Sequence, residues 1–539
     1  MAETFVPWPA DLADRYRREG YWRGETLGDL LRTAAERHSG RTALVDARRS
    51  WTYSELDEEA DRTAAGLRRL GVVAGDRVVV QLPNVGEFVV LCLALYRAGV
   101  IPVLALPGHR RSEIIHLCRL SEAVAYVVAS THEGFDFRDL AREVVAESPQ
   151  LRHVLVLGDP AEFTALASVA AEPERLPAPD PAGVAMLLLS GGTTGLPKLI
   201  PRTHDDYAYN IRKSAELCAF DESTSYLVVL PVSHNFAWGC PGVLGVLQAG
   251  GKVVLAHNAS PPEAFPLIEQ EQVTTVALVP TLAVLWSEAR SWLDTDLGSL
   301  RLMQVGGAKL AETQARQVLA AFGCALQQVF GMAEGLLNFT RLDDPQDMVV
   351  TTQGRPMSPA DEVRVEDEHG NPVAPGECGE LLTRGPYTLR GYYRAESHNR
   401  VAFTLEGYYR TGDVVRVTPE GNLVVEGRIK DQINRGGEKI AAAEVEQHLV
   451  EHPAIQEAVV VGMADAGLGE TMCAFLRVSG AGPSLGEVRR FLTARGIAAF
   501  KAPDRVEVVD SWPLTSVGKV DKKALARFLA ERRPAGASG

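Results

Sequence analysis

The first segment of the chain that could do chemistry is a glycine-rich loop that follows an apolar run. Residues 185–189 are apolar without interruption, and residues 190–198 read Ser-Gly-Gly-Thr-Thr-Gly-Leu-Pro-Lys. Glycines let backbone N–H groups approach an anion, while hydroxyls and a lysine add donors and positive charge. We therefore predict a phosphate-binding loop after a buried strand, made of Ser190, Gly191, Gly192, Thr193, Thr194, Gly195 and Lys198.

This loop is not a Walker A motif. Pro197 precedes the lysine and Leu199 follows it, so the hydroxyl that holds magnesium in that motif has no counterpart here. Taken alone, the loop is also compatible with a flexible surface turn. Its interpretation therefore depends on the segments that follow it in the chain.

Four further polar segments follow the loop in a fixed order. They are residues 330–334 (Phe-Gly-Met-Ala-Glu), 409–413 (Tyr-Arg-Thr-Gly-Asp), 427–431 (Gly-Arg-Ile-Lys-Asp) and 513–519 (Pro-Leu-Thr-Ser-Val-Gly-Lys). With the loop, they resemble the adenylate-forming superfamily, which contains acyl-CoA synthetases, adenylation domains of nonribosomal peptide synthetases and luciferases. The resemblance covers nearly the whole chain, and five ordered motifs are far more specific than any one of them.

The resemblance implies ATP and Mg²⁺ as cofactors and assigns roles to individual residues. Lys519 corresponds to the mobile catalytic lysine that bridges the carboxylate and the α-phosphate, and Glu334 to the magnesium ligand. Asp413 corresponds to the acceptor of hydrogen bonds from the ribose hydroxyls, with Arg428 beside it. The other residues implied in nucleotide binding are Gly307, Ala308, Gln328, Phe330, Gly331, Met332 and Lys439.

Each assignment has a simpler alternative. An aspartate after Thr-Gly, such as Asp413, is a common turn element. Glu334 could be a solvated charge, and Lys519 could belong to a basic surface patch with Lys522 and Lys523. The ordered set of five motifs favours the functional interpretation.

Residues 234–236 (His-Asn-Phe) indicate the class of acid. An amino-acid-activating domain usually has an aspartate near this point for the substrate's ammonium group, whereas Asn235 is neutral. The segment resembles stand-alone aryl-acid AMP ligases of siderophore pathways, in which the asparagine binds the ortho hydroxyl and the neighbouring aromatic residue packs on the ring. This resemblance implies salicylate or 2,3-dihydroxybenzoate, and the implied acid-binding residues are His234, Asn235, Phe236, Cys240, Gly306, Val329 and Leu337.

Cys240 and Leu337 favour salicylate over 2,3-dihydroxybenzoate. Dihydroxybenzoate ligases of the family tend to have a small polar residue and a smaller aliphatic residue at these positions. A thiol and a larger isobutyl group would leave a 3-hydroxyl poorly paired and crowded, which costs on the order of 1–3 kcal/mol. The alternative is that both are ordinary core residues, since free cysteine is readily buried.

The pattern of elements predicts an α/β plus α+β fold. Helices and strands alternate up to about residue 305, which is typical of parallel βαβ subdomains, and short alternating strands after Thr351 indicate a small β subdomain. The predicted elements include strands over residues 125–129, 252–255 and 474–478 and a helix that starts at Ser54. We predict an N-terminal adenylation core over residues 1–429, a hinge region over 430–439 and a small mobile α+β lid over 440–539. The resemblance implies that the lid rotates about Lys430.

Composition excludes several functional classes. The 539 residues carry a net charge of −14, which argues against a general nucleic-acid surface. The seven cysteines are scattered without a Cys-x-x-Cys pair, and the N-terminus lacks the apolar core of a signal peptide. The longest apolar run, residues 88–96, is too short to span a bilayer. We therefore expect a cytoplasmic enzyme without nucleic-acid or membrane partners.

The acceptor of the activated acid stays open at this level. The leading hypothesis is a holo aryl carrier protein, whose phosphopantetheine thiol takes the acyl group, and the alternative is an aryl-CoA ligase that uses free coenzyme A. No carrier domain follows Gly539, so the acceptor is expected in trans. A hydrolytic nucleotide switch is disfavoured by the absence of Walker A, and no residue indicates a luciferase-like oxygenase.

Overall fold

The computed structural model describes residues 5–190, 196–435, 438–465, 468–495, 497, 499–515 and 518–532. Its α-helices are α1 (Ala10–Arg18), α2 (Leu27–His38), α3 (Tyr53–Arg69), α4 (Gly86–Arg97), α5 (Arg111–Ser121), α6 (Phe137–Glu147), α7 (His204–Leu217), α8 (Asn235–Gly239), α9 (Gly242–Ala249), α10 (Pro261–Gln270), α11 (Pro280–Ala289), α12 (Glu312–Phe322), α13 (Gln346–Thr351), α14 (Glu396–Ala402), α15 (Ala442–Leu449), α16 (Leu485–Ala494) and α17 (Lys522–Glu531).

The strands of the large N-terminal part are β1 (Thr42–Val45), β2 (Ser50–Thr52), β3 (Arg77–Gln81), β4 (Ile101–Leu104), β5 (Ala125–Ala129), β6 (Thr131–His132), β7 (Phe135–Asp136), β8 (His153–Leu157), β9 (Thr164–Ala165), β10 (Val184–Leu189), β11 (Leu199–Thr203), β12 (Ser225–Val228), β13 (Lys252–Leu255), β14 (Thr275–Leu278), β15 (Leu302–Gly306), β16 (Ala325–Met332), β17 (Gly335–Phe339), β18 (Arg355–Pro356), β19 (Glu362–Glu366), β20 (Cys378–Arg384), β21 (Tyr409–Val417) and β22 (Leu423–Arg428). Those of the C-terminal part are β23 (Gln432–Arg435), β24 (Glu438–Ala441), β25 (Ile455–Asp465), β26 (Gly469–Val478) and β27 (Arg505–Val508).

Two mostly parallel sheets form the large domain. The first has the order β18-β17-β16-β15-β14-β12-β13-β1-β2 and the second β11-β10-β4-β3-β5-β8-β9. Their central strands are buried and rich in Val, Leu and Ala, as expected for parallel strands covered on both faces. Helix α4, which contains the longest apolar run of the sequence, is buried along nearly its whole length and is a core helix.

A four-stranded antiparallel sheet, β19-β20-β21-β22, follows the two large sheets. It is the predicted small β subdomain, and it pairs Asp413 on β21 with Arg428 on β22 in direct register. A 3₁₀ turn, Ile429–Asp431, then leads into the C-terminal domain.

The C-terminal domain is an α+β unit whose sheet has the order β24-β23-β26-β25, with β27 parallel to β26. Helices α15, α16 and α17 supply apolar residues to its two small cores. The domain touches the large one through polar contacts: Arg477 Nη2 lies 3.4 Å from Glu288 Oε1, and Lys309 Nζ donates to Gln447 Oε1 at 3.3 Å. We call this interface between the two domains the cleft.

The predicted fold class is confirmed, while one predicted helix start is wrong. Helix α3 does not begin at Ser54; Thr52 caps it, with its hydroxyl accepting from Glu55 N and the Glu55 carboxylate accepting from Thr52 N. Strands β23 and β24, which lie in the predicted hinge region of residues 430–439, belong to the C-terminal sheet. We therefore propose that the hinge is the turn that contains Lys430. Within the described residues, no helix has the length and apolar character needed to cross a membrane.

Candidate active site

Lys519 extends from the C-terminal domain into the cleft. The segment is anchored by Thr281 Oγ1, which donates to the Gly518 carbonyl at 3.0 Å. A Cβ on Gly307 would lie 2.9 Å from Lys519 Cε, and Gly307 has φ of +85°, so this position requires glycine both for its backbone and for the lysine's approach. Burial and the nearby Arg428 lower the pKa of Lys519 to about 8, while Asp413 and Glu334 oppose this shift.

Asp413 and Arg428 form a partly buried ion pair at the edge of the small sheet. Arg428 Nε donates to Asp413 Oδ1 at 2.7 Å, and Asp413 is 3% exposed. Burial raises the pKa of Asp413, and the guanidinium counteracts this by stabilising the charged form. The pair therefore presents an oriented carboxylate near Lys519, as a ribose-binding group requires.

Glu334 is a buried carboxylate held by a tyrosine. Tyr392 Oη donates to Glu334 Oε1 at 2.8 Å and shares a second hydrogen bond with Tyr409 Oη at 2.8 Å. Burial raises the pKa of Glu334, whereas the bond from Tyr392 lowers it. A hard oxygen ligand in this setting fits Mg²⁺.

The phosphate loop connects the antiparallel strands β10 and β11. Its base is closed by two bonds, Ser190 N to the Lys198 carbonyl at 2.9 Å and Lys198 N to Ser190 Oγ at 3.0 Å. Lys198 Nζ lies 5.3 Å from the centroid of the Tyr392 ring. Tyr392 therefore contacts the loop lysine with its ring and the Glu334 carboxylate with its hydroxyl. The predicted loop residues Gly191, Gly192, Thr193, Thr194 and Gly195 lie outside the described residues.

The other residues that are predicted to bind the nucleotide differ in their exposure to solvent. Ala308 is exposed beside Gly307, Met332 is half-buried, and Phe330 packs on the apolar core of the small sheet. The Gln328 amide is buried: it donates to the Val349 carbonyl at 2.7 Å and accepts from Gln353, so its role in nucleotide binding stays a prediction. The side chain of Lys439 lies outside the described part of the chain.

The predicted acid-binding residues surround the start of α8. Gly306 packs closely against Val329 and Phe236. A Cβ at position 306 would lie 2.7 Å from the Val329 carbonyl and 3.1 Å from Phe236 Cζ. Leu337 lies opposite Gly331 on the neighbouring strand, where a Cβ at 331 would meet Leu337 Cδ2 at 2.3 Å. Phe236, Gly306 and Val329 therefore pack together, while Leu337 packs across Gly331 on the neighbouring strand.

Polar groups line the other side of this region. His234 caps α8 by accepting from Phe236 N at 3.3 Å, and burial together with Lys519 lowers the pKa of His234 to about 3, so the ring is neutral. Asn235 Nδ2 donates to Cys240 Sγ at 3.2 Å, and Tyr207 Oη donates to Asn235 Oδ1 at 2.7 Å. His234, one of the predicted acid-binding residues, therefore lies close enough to the predicted catalytic Lys519 to feel its charge.

Sequence reasoning missed three residues that organise the site: Tyr207, Tyr392 and Arg202. The Arg202 guanidinium is 1% exposed, pairs with Asp206 at 2.8 Å and donates to the carbonyl of Ala333, next to Glu334, at 3.0 Å. None of the three belongs to the glycine-rich or charged motifs that drew attention in the sequence. The sequence signal that could have identified Arg202 is an arginine directly before the capping box of Thr203 and Asp206.

The residues present fit a magnesium nucleotide. The cleft contains the cations Lys198, Arg428 and Lys519 and two buried carboxylates, of which Asp413 is paired with Arg428, so Glu334 is the one available to share a metal ion with the phosphates of a nucleotide. Among the described residues, no group of three or more His, Cys, Asp or Glu side chains could hold a metal ion by itself. Glu334 would therefore share the ion with phosphates and water.

Comparison with known proteins identifies the family. The AMP-binding enzyme profile matches residues 31–393, and the profile of the AMP-binding enzyme C-terminal domain matches residues 444–519. The chain is 55% identical to the 2,3-dihydroxybenzoate-AMP ligase of Bacillus subtilis, over 99% of both chains. It is 51% identical to the salicyl-AMP ligase / salicyl-S-ArCP synthetase of Mycobacterium tuberculosis, over 97% of this chain and 94% of that one.

A solved structure agrees with these relatives. The apo structure of MbtA from Mycobacterium smegmatis matches with a TM-score of 0.76 and 51% identity, over 97% of this chain and 98% of that one. The chain belongs to the AMP-binding enzyme family. It is an adenylate-forming ligase, as predicted, and enzymes of this kind use ATP and Mg²⁺.

Replacing Tyr392 by phenylalanine is expected to weaken metal binding about tenfold, since a hydrogen bond to a charged group contributes roughly 1.5–3 kcal/mol. Without that bond the Glu334 carboxylate loses both its orientation and a group that favours its ionised form. Binding of Mn²⁺ in the presence of ATP, followed by electron paramagnetic resonance, measures the effect directly. Tyr393→Phe, at the adjacent tyrosine, is the control; equal Mn²⁺ affinity in both variants would contradict the role of Tyr392.

Proposed function

We propose that this enzyme activates an aryl acid, salicylate in preference to 2,3-dihydroxybenzoate, as its acyl-adenylate and then passes the acyl group to the phosphopantetheine thiol of an aryl carrier protein. The observation that carries the proposal is the hydrogen-bonded Asn235, next to the neutral His234 that Lys519 approaches. A neutral amide in this place suits an ortho hydroxyl and lacks the charge that an α-ammonium group requires.

In the first half-reaction, a carboxylate oxygen of the acid attacks the α-phosphorus of ATP, the new O–P bond forms and pyrophosphate leaves. Two anions must approach each other, so the step needs a cation between them. Lys519 is close enough to His234, on the proposed acid side, and to Asp413 and Glu334, on the proposed nucleotide side, to interact electrostatically with all three. Magnesium bound by Glu334 would neutralise phosphate charge during this step.

In the second half-reaction, the thiol attacks the acyl carbon and AMP leaves. We propose that the C-terminal domain turns about Lys430, which lies in the exposed 3₁₀ turn between β22 and β23. Such a rotation would withdraw Lys519 and bring the segment around residues 436–437 to the cleft. The carrier protein is supported by the Mycobacterium tuberculosis relative, whose name contains a salicyl-S-ArCP synthetase activity.

The choice of acceptor is tested by offering both thiols. The enzyme, the acid and ATP are incubated either with a holo aryl carrier protein or with coenzyme A, and the thioester is quantified by mass spectrometry. We expect acylation of the carrier protein at much lower acceptor concentration than acylation of coenzyme A. Preferential formation of the coenzyme A thioester would instead establish the enzyme as an aryl-CoA ligase.

The preference for salicylate rests on Cys240 and Leu337. Both are buried, at 2% exposure, and the Cys240 sulfur already accepts a hydrogen bond from Asn235. Burial raises the pKa of Cys240 to about 12, so the thiol stays neutral and is a weak partner for an additional hydroxyl. The relative at 55% identity is named for 2,3-dihydroxybenzoate, so the preference has to be measured directly.

The double variant Cys240→Ser, Leu337→Val is expected to shift the ratio of kcat/KM for the two acids toward 2,3-dihydroxybenzoate by about tenfold. The serine hydroxyl would pair with the 3-hydroxyl and the smaller valine would make room for it, recovering roughly 1–3 kcal/mol. Acid-dependent ATP–pyrophosphate exchange across a panel of benzoates gives the kcat/KM of the wild-type enzyme and of the double variant for each acid. A wild-type preference for 2,3-dihydroxybenzoate would overturn the assignment.

The acyl-adenylate step is expected to slow as the pH rises through about 8. Lys519 acts as a cation, and its pKa of about 8 means that a growing fraction is neutral above that pH. The pH profile of kcat/KM, followed by pyrophosphate release, reports this free-enzyme group. Lys519→Arg, which stays charged, should move the falling limb to higher pH; a wild-type profile that is flat up to pH 10 would contradict the assignment.

A further inference from the structure

We infer that Tyr207 fixes the Asn235 amide so that the pocket offers an N–H donor to the ortho substituent of the acid, and that this selects 2-hydroxybenzoates over 2-aminobenzoates. The inference rests on the proposed function and adds a positioning residue to it. Its basis is the direction of the hydrogen bonds that run from Tyr207 through Asn235 to Cys240.

The Tyr207 hydroxyl acts as a donor. Burial raises its pKa well above the ordinary value, so the proton stays on the oxygen, and the bond to Asn235 Oδ1 measures 2.7 Å. The hydroxyl is held closely, because a Cβ on Gly239 would lie 2.3 Å from it. Asn210 Nδ2 fixes that glycine by donating to its carbonyl at 2.6 Å.

The Tyr207 ring is held as firmly as its hydroxyl. The Arg202 guanidinium lies 4.7 Å from the ring centroid, and Arg202 is itself held by the buried Asp206. Tyr207 is 0% exposed. A tyrosine that can neither move nor lose its proton imposes one orientation on the amide that it contacts.

This orientation determines what Asn235 can offer to a ligand. Its oxygen is directed at Tyr207, and one of its two N–H groups donates to Cys240, so among the described residues the other N–H has no partner and can face a ligand. Asn235 is half-buried, whereas Tyr207 and Cys240 are fully buried, which leaves the amide as the member of the network within reach of the pocket.

A single fixed donor discriminates between ortho substituents. The phenolic oxygen of salicylate can accept this N–H while directing its own proton to the neighbouring carboxylate. In 2-aminobenzoate, an amino group with N–H bonds would face another N–H, and a desolvated donor without an acceptor is strongly unfavourable. Without the Tyr207 hydroxyl the amide could turn and present its oxygen to the amino group.

The test is the ratio of kcat/KM for salicylate to kcat/KM for 2-aminobenzoate, measured by acid-dependent pyrophosphate release. We expect Tyr207→Phe to lower this ratio about tenfold or more. Tyr209→Phe is the matched control, because it removes another buried hydroxyl from the same helix, one that pairs with Ser358 Oγ at 2.6 Å. The control should keep the wild-type ratio.

A Tyr207→Phe enzyme that loses activity equally with both acids would overturn the inference, since a merely structural role would leave the ratio unchanged. If this variant does not fold, as judged by thermal unfolding, Asn235→Asp provides the second test. It replaces the donor by an acceptor, so the ratio should again fall, and an unchanged ratio would refute the inference. A wild-type enzyme that activates neither acid would refute the proposed function itself.

Discussion

Replacing Lys519 by alanine is expected to lower the rate of acyl-AMP formation by a factor on the order of 10³ or more, while thioester formation from supplied acyl-AMP continues. The lysine is a cation that interacts electrostatically with His234, a predicted acid-binding residue, and with Asp413 and Glu334, predicted nucleotide-binding residues, and removing such a group costs on the order of 10²–10³ in rate. Once the acyl-adenylate exists, the two anions no longer have to be brought together. The two half-reactions are measured separately, by ATP–pyrophosphate exchange and by acylation of the thiol acceptor.

Lys522→Ala provides the control for the Lys519 variant. Lys522 is three residues further along and forms an ion pair with Glu446 at 2.7 Å within the C-terminal domain, so it tests whether any lost lysine in this region has the same effect. We expect nearly full activity in both half-reactions. Equal losses in both half-reactions for Lys519→Ala would refute the division of labour between the two lid positions.

Replacing Glu334 by glutamine is expected to reduce adenylation by roughly 10²–10³-fold and, at the same time, to stabilise the ligand-free protein. The amide has the same shape and can still accept the Tyr392 bond, so the variant removes the charge alone. Because burial raises the pKa of Glu334, its ionised form opposes folding at neutral pH. The loss of activity is measured by pyrophosphate release and the gain in stability by calorimetry without nucleotide.

The stability gain of Glu334→Gln has a defined pH dependence. The folded-state pKa of Glu334 lies above 4.5. At a pH above this value the buried carboxylate is charged and lowers the stability of the wild-type protein by the full amount. At a pH at which the carboxyl is protonated in both the folded and the unfolded state, it does not lower the stability. The difference in unfolding temperature should therefore vanish below about pH 4, grow as the pH rises above 4.5 and level off once the pH exceeds the folded-state pKa of Glu334. A variant that is less stable at every pH would contradict this account.

The sequence allowed the strands of the large domain to be predicted well because buried parallel strands are uninterrupted apolar runs. The strands Ala125–Ala129 and Lys252–Leu255 have the predicted bounds in the structure. Helix starts were less certain because several hydroxyl residues can cap one helix, as Thr52 and Ser54 show. Strand β26 begins at Gly469, five residues before the predicted start, since its first half lacks a continuous apolar pattern.

The site was predictable where a residue belongs to a motif and unpredictable where it acts through another residue. Lys519, Asp413, Arg428 and Glu334 belong to different motifs and lie close enough to interact electrostatically, and their roles stay predictions. Tyr207 lies in ordinary helical sequence and Tyr392 in ordinary loop sequence, and neither belongs to one of the five motifs. Their partners lie 28 and 58 residues away in the chain, respectively. Only the folded chain brings these hydroxyls to Asn235 and Glu334.

The seating of Lys519 beside Arg428 also links the docking of the C-terminal domain to the charge of the substrates. Two like charges repel each other in a partly desolvated cleft, so docking of the C-terminal domain is least favourable when the cleft contains no additional anion. A triphosphate supplies part of the missing negative charge and the carboxylate supplies the rest. We therefore expect ATP and the aromatic acid each to strengthen the docking of the C-terminal domain through the negative charge that they bring.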